Sequence, residues 1–476
     1  MREKPPAGAS HGPSPADAPP ATSRGAPRPA LEKPIPGLLL RLALPILASQ
    51  LLRLGYQWVD AMWVKGLGVS ATAAVTSSVF VLWSAYSLND IFAIGVTAYV
   101  SQLVGAGDRD RAGVAAYKGL RASLLFGFVG SAAGLFFARD IYRLMGGDAG
   151  VVDQGGRYLS VVLAAAPLPM IGLTCESIMR ASGDTRTPLL IDLGAIALNA
   201  VLDPLLIYGI GPFPRLGVAG AAWATVISQA VMVACFLAVA ARGHRAFPLR
   251  RRAPGPPVLI SGMARVGLPA CLITLLFSVV YIAFARSASR FGPASMAVVG
   301  IVNRVEALDF VISVAIGSAG AALVGQSLGA GREDRAALVV RTGLWWAGIM
   351  GALLTVLYFV VPGVLLGLFT RDAEVMRLGV PYMRVLSLCI VATALEIVTV
   401  ESLLGSGHTR EISAIYTVFS LLRIPLAFAV PTWTGTGVLG IAWLITVTCI
   451  LRTALILAWA ARGTWKRGLS RELHGG

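Results

Sequence analysis

Residues 100–112 read VSQLVGAGDRDRA, and residues 324–336 read VGQSLGAGREDRA. The two stretches share eight identities in thirteen positions, at an offset of 224 residues. Three more pairs repeat in the same order, two at that offset and one at 220: LP at 44 and 268, SGDT at 182 with SGHT at 406, and GVAGAAW at 217 with GVLGIAW at 437. The chain is therefore predicted to consist of two related halves.

Long apolar stretches fill both halves. Of the 476 residues 56% are hydrophobic and 13% charged, and the mean hydropathy is +0.74. Runs of about 20 apolar residues are typical of membrane-spanning helices. We predict an all-α membrane protein whose twelve spans form two pseudo-symmetric six-helix bundles, at 37–63, 70–101, 113–138, 158–181, 187–210, 217–241, 261–285, 294–324, 337–365, 380–404, 411–431 and 437–461.

The spans group into two lobes joined by a linker. The N-lobe, spans one to six, covers 34–243, and the C-lobe, spans seven to twelve, covers 258–465. Residues 1–33 are rich in Pro, Ala, Gly and Ser, a composition that predicts a disordered tail. A basic linker is expected at 244–257 and a short tail at 466–476.

Basic residues indicate the orientation in the membrane. The net charge is +16, and arginines and lysines cluster in both tails and in the linker. With an even number of spans these clusters share one side, which the positive-inside rule predicts to be the cytoplasm. We expect a multi-pass inner-membrane protein with both termini cytoplasmic, and the charge distribution gives no indication of a nucleic-acid partner.

The stretch LNAVLDPLLIY at 198–208 contains a carboxylate within a predicted span. Asn199 and Asp203 lie one turn apart and so share a helix face, and Pro204 leaves a carbonyl one turn back without its amide partner. Such oxygens suit Na⁺, and a desolvated carboxylate could instead carry a proton. The alternative is an aspartate that is hydrogen-bonded to a neighbouring helix as structural glue.

Further ionisable residues lie within predicted spans, where charge is costly and a functional role is the default hypothesis. Asp60 lies late in span one, and Pro45, fifteen residues earlier, marks either a hinge or a static kink. In span eight, Arg304, Glu306 and Asp309 are expected to neutralise one another in part, as a structural or cavity-lining group.

Two six-span halves insert the same way round, which predicts an axis along the membrane normal and a substrate site between the halves. This architecture favours a carrier that works by alternating access. The repeated GAG segments do not have the spacing of a nucleotide-binding loop, and we interpret them as tight turns.

The motifs together resemble the MATE (multidrug and toxic compound extrusion) family of the MOP superfamily, over about 34–465. They are LP opening spans one and seven, VDAMWVKGLG after span one, GAGD after span two, ASGDTRTP after span four, LNAVLDP in span five and GVAGAAWATVISQ in span six. Members of this family export organic cations and amphipathic compounds against inward Na⁺ or H⁺. The implied shape is an inverted V of two lobes.

The closest resemblance is to the DinF-like branch, in which the cation site lies in the N-lobe. Carried over by position, the resemblance implies a cation site of Asp60, Asn199, Asp203 and Thr225. It also implies that Pro45 is the hinge of a bending first helix and that Tyr56 lines the N-lobe cavity. Glu176 departs from the branch, which tends to have a neutral polar residue there, and we expect it to face this cavity beside Asn199 and add negative charge.

The second half departs from the NorM-like branch of the family. That branch carries a glutamate in span seven, where this chain has no acid, and an aspartate in span ten, from which Glu396 is displaced by about a turn. C-lobe coupling of that kind is therefore not expected.

The predicted function is a cation-coupled antiporter that exports organic cations, drugs or amphipathic metabolites. We expect a monomer in the lipid bilayer, a small-molecule substrate, and no cofactor other than a Na⁺ ion if Na⁺ drives transport. One alternative is a lipid-linked oligosaccharide flippase, in which several cationic residues would face the cavity. A membrane-embedded enzyme is the other alternative, and no nucleophile or metal cluster accompanies the carboxylates to support it.

Overall fold

The computed structural model describes residues 33–144, 149–242 and 249–469, and these residues form sixteen α-helices and one short 3₁₀ helix, Thr464–Arg467. The first half contains α1 (Ile35–Lys65), α2 (Val69–Ser87), α3 (Asp90–Ala106), α4 (Arg109–Leu144), α5 (Ala149–Ala164), α6 (Pro167–Ala181), α7 (Arg186–Tyr208) and α8 (Val218–Ala241). The second half contains α9 (Ile260–Ser289), α10 (Pro293–Gly329), α11 (Glu333–Val360), α12 (Pro362–Gly367), α13 (Ala373–Ser387), α14 (Ile390–Leu404), α15 (Arg410–Trp433) and α16 (Val438–Ala461).

The helices reproduce the predicted spans, with four spans broken rather than continuous, one of them the ninth, at Val361 between α11 and α12. Within the described ranges, nine helices are long and apolar enough to cross a membrane, and two bent pairs bring the number to eleven. The pair α5 and α6 bends by 50°, where Pro167 opens α6, and the pair α13 and α14 bends by 54°. Helices α2 and α3, separated at Leu88–Asn89, occupy the predicted second span. The all-α, two-lobe membrane fold is confirmed.

The repeated GAG segments form helix-ending turns. Gly107 and Gly331 adopt φ values of 82° and 70°, which a residue with a side chain rarely adopts. After each glycine the next amide reaches back to the helix, from Asp108 to the Leu103 carbonyl and from Arg332 to the Ser327 carbonyl, over 3.0 and 2.9 Å. This is the Schellman pattern of helix termination, so the turn interpretation is confirmed.

The first helix of each half begins against the opposite lobe. Leu39 and Ile46 of α1 pack in one apolar core with Ala319 of α10. In the same way Met263 of α9 packs against α3, and a Cβ on Gly267 would lie 1.8 Å from the backbone carbonyl oxygen of Ile91 in α3. Helices α1 and α9 therefore each pack across the interface between the two lobes.

One end of the bundle collects the turns and the connecting segments, and we call it the linker side. It contains the turns 106–108 and 330–332, the linker residues 249–259, and Leu469. Lys118 of α4 donates to the Val258 carbonyl over 2.7 Å. The described part of the linker and the C-terminal segment therefore lie on the same side, as the charge pattern predicted.

Candidate functional site

Three of the four predicted cation-site residues come together between α7 and α8. Asn199 and Asp203 are 2% and 0% exposed. With its amide oriented to satisfy both neighbours, Asn199 donates to an Asp203 carboxylate oxygen over 3.0 Å and accepts from the backbone N–H of Thr225 over 3.2 Å. Thr225 thus contributes its backbone amide to this arrangement. We call Asn199, Asp203 and Thr225 the N-lobe polar site.

The remaining N-lobe residues of the prediction are on α1. The side chains of Asp60 and Tyr56 lie outside the described residues. Their helix runs beside α7, because the Tyr208 hydroxyl donates to the Trp63 carbonyl over 2.5 Å and Val64 packs with Ile207. Pro45 lies inside α1, which continues as one helix from Ile35 to Lys65.

A fully buried carboxylate with an amide partner can bind a cation or a proton. Water cannot reach Asp203 to stabilise its charge, so the ionised form needs a positive or polar partner inside the protein. Pro204 has no N–H to donate, which frees a backbone carbonyl one turn earlier in α7. Carboxylate, amide and carbonyl oxygens are the ligand types that hard cations prefer.

An ion-pair network that the sequence did not reveal joins α1, α6 and α7. Arg53 contacts the Glu176 carboxylate at 2.5 Å and the Asp192 carboxylate at 3.0 Å. Arg180, one turn after Glu176, pairs with the other Glu176 oxygen. Both carboxylates are 3% exposed and Arg53 is one-third exposed, so the network borders a cavity on the Arg53 side.

A sequence signal for Asp192 was available. It lies seven residues before Asn199 and eleven before Asp203, spacings that put all three on one face of α7. The signal is weak on its own, because Asp192 lies near the predicted start of span five, where a carboxylate can reach solvent. Arg53 carried no comparable signal, because its two partners are 123 and 139 residues away in the chain.

The expectation for Glu176 needs correction. It does line a cavity, but two guanidinium groups neutralise its charge, and Asn199 is not among the residues that line the same space. Arg53 reaches Glu176 from α1 and Arg180 from one turn along α6. A buried carboxylate is stable only with such partners, and Glu176 therefore adds little net negative charge.

The cavity lies between the lobes and has a volume of about 280 Å³. Helices α1, α3 and α6 line it from one half, and α9, α10 and α14 from the other. Asp90 of α3 and Glu401 of α14 face it from opposite lobes, and neither forms an ion pair within the described part of the chain. The Ser318 hydroxyl donates to Glu401 over 3.4 Å.

The predicted charge group in α10 does not form. Among the described residues Arg304 makes no ion pair with Glu306 or Asp309, since Arg304 is exposed and Asp309 is 2% exposed. Residues two and five positions apart point to different sides of a helix, which keeps the guanidinium away from both acids. Asp309 accepts instead from the Ser313 hydroxyl over 3.4 Å.

The C-lobe has arginines where the N-lobe has its polar site. Arg423, which the 224-residue repeat aligns with Asn199, donates to the Thr448 hydroxyl over 2.7 Å and to the Ile445 carbonyl over 3.3 Å. Ala427 aligns with Asp203. The second half therefore holds a fixed guanidinium at this place and no carboxylate in register with Asp203.

A second buried arginine accounts for Glu396. Arg452 pairs with both Glu396 oxygens, at 2.7 and 3.0 Å, and stacks over Tyr416 at 3.9 Å from the ring centre. The Thr453 hydroxyl donates to the same carboxylate over 3.0 Å. Because its charge is internally compensated, Glu396 has the environment of a structural ion pair.

Comparison with known proteins identifies the family. The MatE profile matches residues 45–205 and again 269–429, two segments related by the same 224-residue offset. The chain belongs to the MatE family. Its members are transporters, which excludes the enzyme alternative and agrees with the resemblance seen in the motifs.

Similar proteins span nearly the whole length of this MatE chain. It is 28% identical to the "Probable multidrug resistance protein YoeA" of Bacillus subtilis, over 89% of this chain and 92% of that protein. It is 27% identical to the "FAD transporter" of Shewanella oneidensis, over 88% and 93%. A solved structure of a MATE protein in the bent conformation matches with a TM-score of 0.86 at 22% identity, over 92% and 98%.

Proposed function

We propose that this MatE protein is an antiporter that exports organic cations or amphipathic compounds and is driven by inward Na⁺ or H⁺. The observation that carries the proposal is the N-lobe polar site, in which a fully buried Asp203 meets the Asn199 amide. A carboxylate buried this deeply at membrane depth costs about 2.5–3.5 kcal/mol on the insertion scale, so a role in ion binding accounts for its presence.

Coupling is assigned to the N-lobe alone, as in the DinF-like branch. Arg423 supplies a permanent positive charge at the equivalent place in the C-lobe, which disfavours cation binding there. In the N-lobe, Asp60 on α1 would complete the site with Asn199 and Asp203. Since α1 packs beside α7, an ion bound between them would reposition α1.

Substrate and coupling ion need not touch in this mechanism. The ion is assigned to the N-lobe polar site and the substrate to the cavity between the lobes, which Arg53 of α1 borders. Each ligand shifts the equilibrium between two states only by its differential affinity for them. Movement of α1 changes the position of Arg53 and so alters the cavity without direct contact between the two ligands.

Asp90 and Glu401 are proposed to bind the positive group of the substrate. Three carboxylates, Asp90, Glu176 and Glu401, and two guanidinium groups, Arg53 and Arg180, line the cavity. The two arginines are engaged by Glu176, which leaves the carboxylates of Asp90 and Glu401 to a ligand. This balance also disfavours a lipid-linked oligosaccharide, whose anionic headgroup would need unengaged cationic residues.

The substrate proposal has a direct competitor. A relative described as an FAD transporter suggests an anionic dinucleotide as the alternative cargo. Proteoliposomes loaded with a fluorescent organic cation or with FAD, under an imposed Na⁺ or pH gradient, separate the two. We expect gradient-driven movement of the cation, reduced in Asp90→Asn and Glu401→Gln. Movement of FAD alone, or of neither compound under either gradient, would contradict the proposal.

The orientation follows from the basic residues on the linker side. We propose a monomer in the inner membrane with the linker side in the cytoplasm, because Arg250, Arg251 and Arg252 are located there. Labelling of an exposed linker-side position such as Arg109 in intact and in permeabilised cells tests this assignment. Labelling that requires permeabilisation supports it, and equal labelling of intact cells would contradict it.

A further inference from the structure

The repeated segments VSQLVGAG and VGQSLGAG meet each other across the lobe interface. The side-chain amide of Gln102 in α3 donates to the Gly405 carbonyl after α14 over 2.9 Å. The side-chain amide of Gln326 in α10 donates to the Ala181 carbonyl at the end of α6, also over 2.9 Å. The two donors are 224 residues apart, and so are the two acceptors. The second hydrogen bond is therefore the symmetry-related copy of the first.

Glycines in the same segments let the two helices cross in close contact. A Cβ on Gly105 would lie 2.0 Å from the Gln326 carbonyl oxygen, and a Cβ on Gly329 would lie 1.8 Å from the Gln102 carbonyl oxygen. Gly105 and Gly329 are again related by the 224-residue offset. In a two-fold interface, every contact between two residues is repeated by the contact between their two symmetry-related residues. The two glycine contacts follow this rule.

The crossing lies on the pseudo-two-fold axis. Ser101 and Gly325 occupy equivalent positions in the two repeats, and a Cβ on Gly325 would fall 1.9 Å from the Ser101 hydroxyl oxygen. Only residues beside the axis can contact their own symmetry copies. The identity of the two repeated stretches is thus explained by their contact with each other, in addition to the turns that they form.

We propose that the hydrogen bonds Gln102–Gly405 and Gln326–Ala181, together called the glutamine latch, hold the linker side of the carrier closed and break and re-form in each transport cycle. Ala181 and Leu404, at or beside the two acceptors, line the interlobe cavity. The latch therefore lies between this cavity and the linker side. The inference rests on the movement of the two lobes proposed above, and it holds for either coupling ion.

Burial makes the latch effective as a switch. Gln102 and Gln326 are 2% and 5% exposed, so water does not compete for their amides while the lobes are closed. When the lobes separate, water can satisfy both partners, and the net value of each hydrogen bond corresponds to a factor of about 2–10 in the population ratio. Two such bonds bias the closed state without making it permanent.

The two halves of the latch are not equal. The Gln102 side-chain oxygen also accepts from the backbone N–H of Leu469 over 2.9 Å, which ties the C-terminal segment to α3. Removal of the Gln102 side chain therefore breaks two hydrogen bonds, to Gly405 and to Leu469. Removal of the Gln326 side chain breaks its hydrogen bond to Ala181. We expect Gln102→Ala to open the linker side more than Gln326→Ala does.

A distance measurement on the full chain tests the latch. Arg109 and Glu333, which are equivalent in the repeat and both exposed, carry spin labels attached through a keto-bearing amino acid, so that the five cysteines remain. Gln102→Ala, Gln326→Ala and the double variant are compared with Ser131→Ala and Thr446→Val. These two controls remove side-chain hydrogen bonds to a carbonyl of the same lobe.

The expected result is a longer label distance. Each hydrogen bond that is broken should raise the ratio of open to closed populations by about 2–10-fold, so the double variant opens most and the controls are unchanged. An unchanged distance distribution in the double variant would overturn the proposal, and a monodisperse elution profile shows that the variant is folded. Because no ion gradient is applied, the outcome is independent of the coupling assignment.

Glycine variants separate hydrogen bonding from helix packing. Gly105→Ala and Gly329→Ala prevent the close crossing without changing either glutamine, and Gly348→Ala, where a Cβ meets open space, is the control. The proposal predicts opening in the glycine and the glutamine variants alike. Opening by the glycine variants alone would mean that packing holds the linker side closed, and the latch would be wrong.

Discussion

At the scale of single residues, the partner of each buried carboxylate determines what that carboxylate can do. Asp203 meets an amide, Glu176 meets two guanidinium groups, and Glu396 meets Arg452 and a hydroxyl. A carboxylate paired with arginine has its charge compensated by the protein. A carboxylate hydrogen-bonded to an amide is of the type that can bind a mobile cation or a proton.

The Glu396–Arg452 pair gives a prediction for stability. Arg452→Ala leaves a buried carboxylate without its counter-charge, a change that typically costs about 3–5 kcal/mol. We expect a clear drop in the thermal unfolding midpoint in detergent, whereas Arg304→Ala, at an exposed position on α10, leaves it unchanged. Equal midpoints for the two variants would show that the ion pair has no structural importance.

Arg53 gives a second prediction at this scale. The Nη2 atom of its guanidinium contacts carboxylates on two different helices, and a lysine ammonium, which is more strongly hydrated, would be costlier to hold between them. Initial efflux rates should decrease in the order wild type, Arg53→Lys, Arg53→Ala. Exposed Arg109→Ala serves as the control for loss of a positive charge. If Arg53→Ala exports substrate as fast as wild type, the ion-pair network around Arg53 has no part in transport.

The residues show what sequence reasoning can and cannot find. Asn199 and Asp203 were predictable because a four-residue spacing in an apolar helix is a local signal. The pairing of Arg53 with Glu176 was not, since it depends on how helices more than a hundred residues apart in the chain pack together. The predicted neutralisation within Arg304, Glu306 and Asp309 was wrong because closeness in sequence is not closeness on a helix face.

At the scale of helices, α1 is the element that connects ion site, cavity and lobes. Its first half packs on α10, Arg53 in its middle pairs with α6 and α7, and its last turns lie beside Tyr208 of α7. Most span boundaries could be predicted from hydropathy. The breaks within four spans could not, because hydropathy averages over the one or two residues at which a helix bends.

Pro45 allows a test of α1 as a moving element. A proline inside a helix removes one backbone hydrogen bond and makes the helix easier to bend. Pro45→Ala should therefore slow efflux while leaving equilibrium substrate binding in detergent unchanged. Pro269→Ala, at the equivalent position of α9, is the matched control for proline loss. Unchanged efflux by Pro45→Ala would assign Pro45 to a static kink.

At the scale of the whole molecule, the two halves share one helical scaffold but differ in the charged residues that they bury. The turns, the bent helix pairs and the crossing of α3 with α10 obey the two-fold repeat, and the glycines of the turns and of the crossing are common to both halves. The buried charges do not obey it, because Arg423 stands where the N-lobe has Asn199. The helices that are proposed to move thus follow the two-fold symmetry. The N-lobe polar site, where coupling is proposed, departs from it.

Sodium- or proton-driven efflux by carboxylate variants tests the central claim most directly. Wild type, Asp203→Asn and Asp309→Asn are reconstituted, and efflux of a fluorescent cation is measured under an inward Na⁺ or H⁺ gradient. Asp309 is the matched control, a carboxylate buried in the C-lobe. We predict that Asp203→Asn abolishes gradient-driven efflux and that Asp309→Asn retains it. Gradient-driven efflux that persists in Asp203→Asn would contradict coupling through the N-lobe.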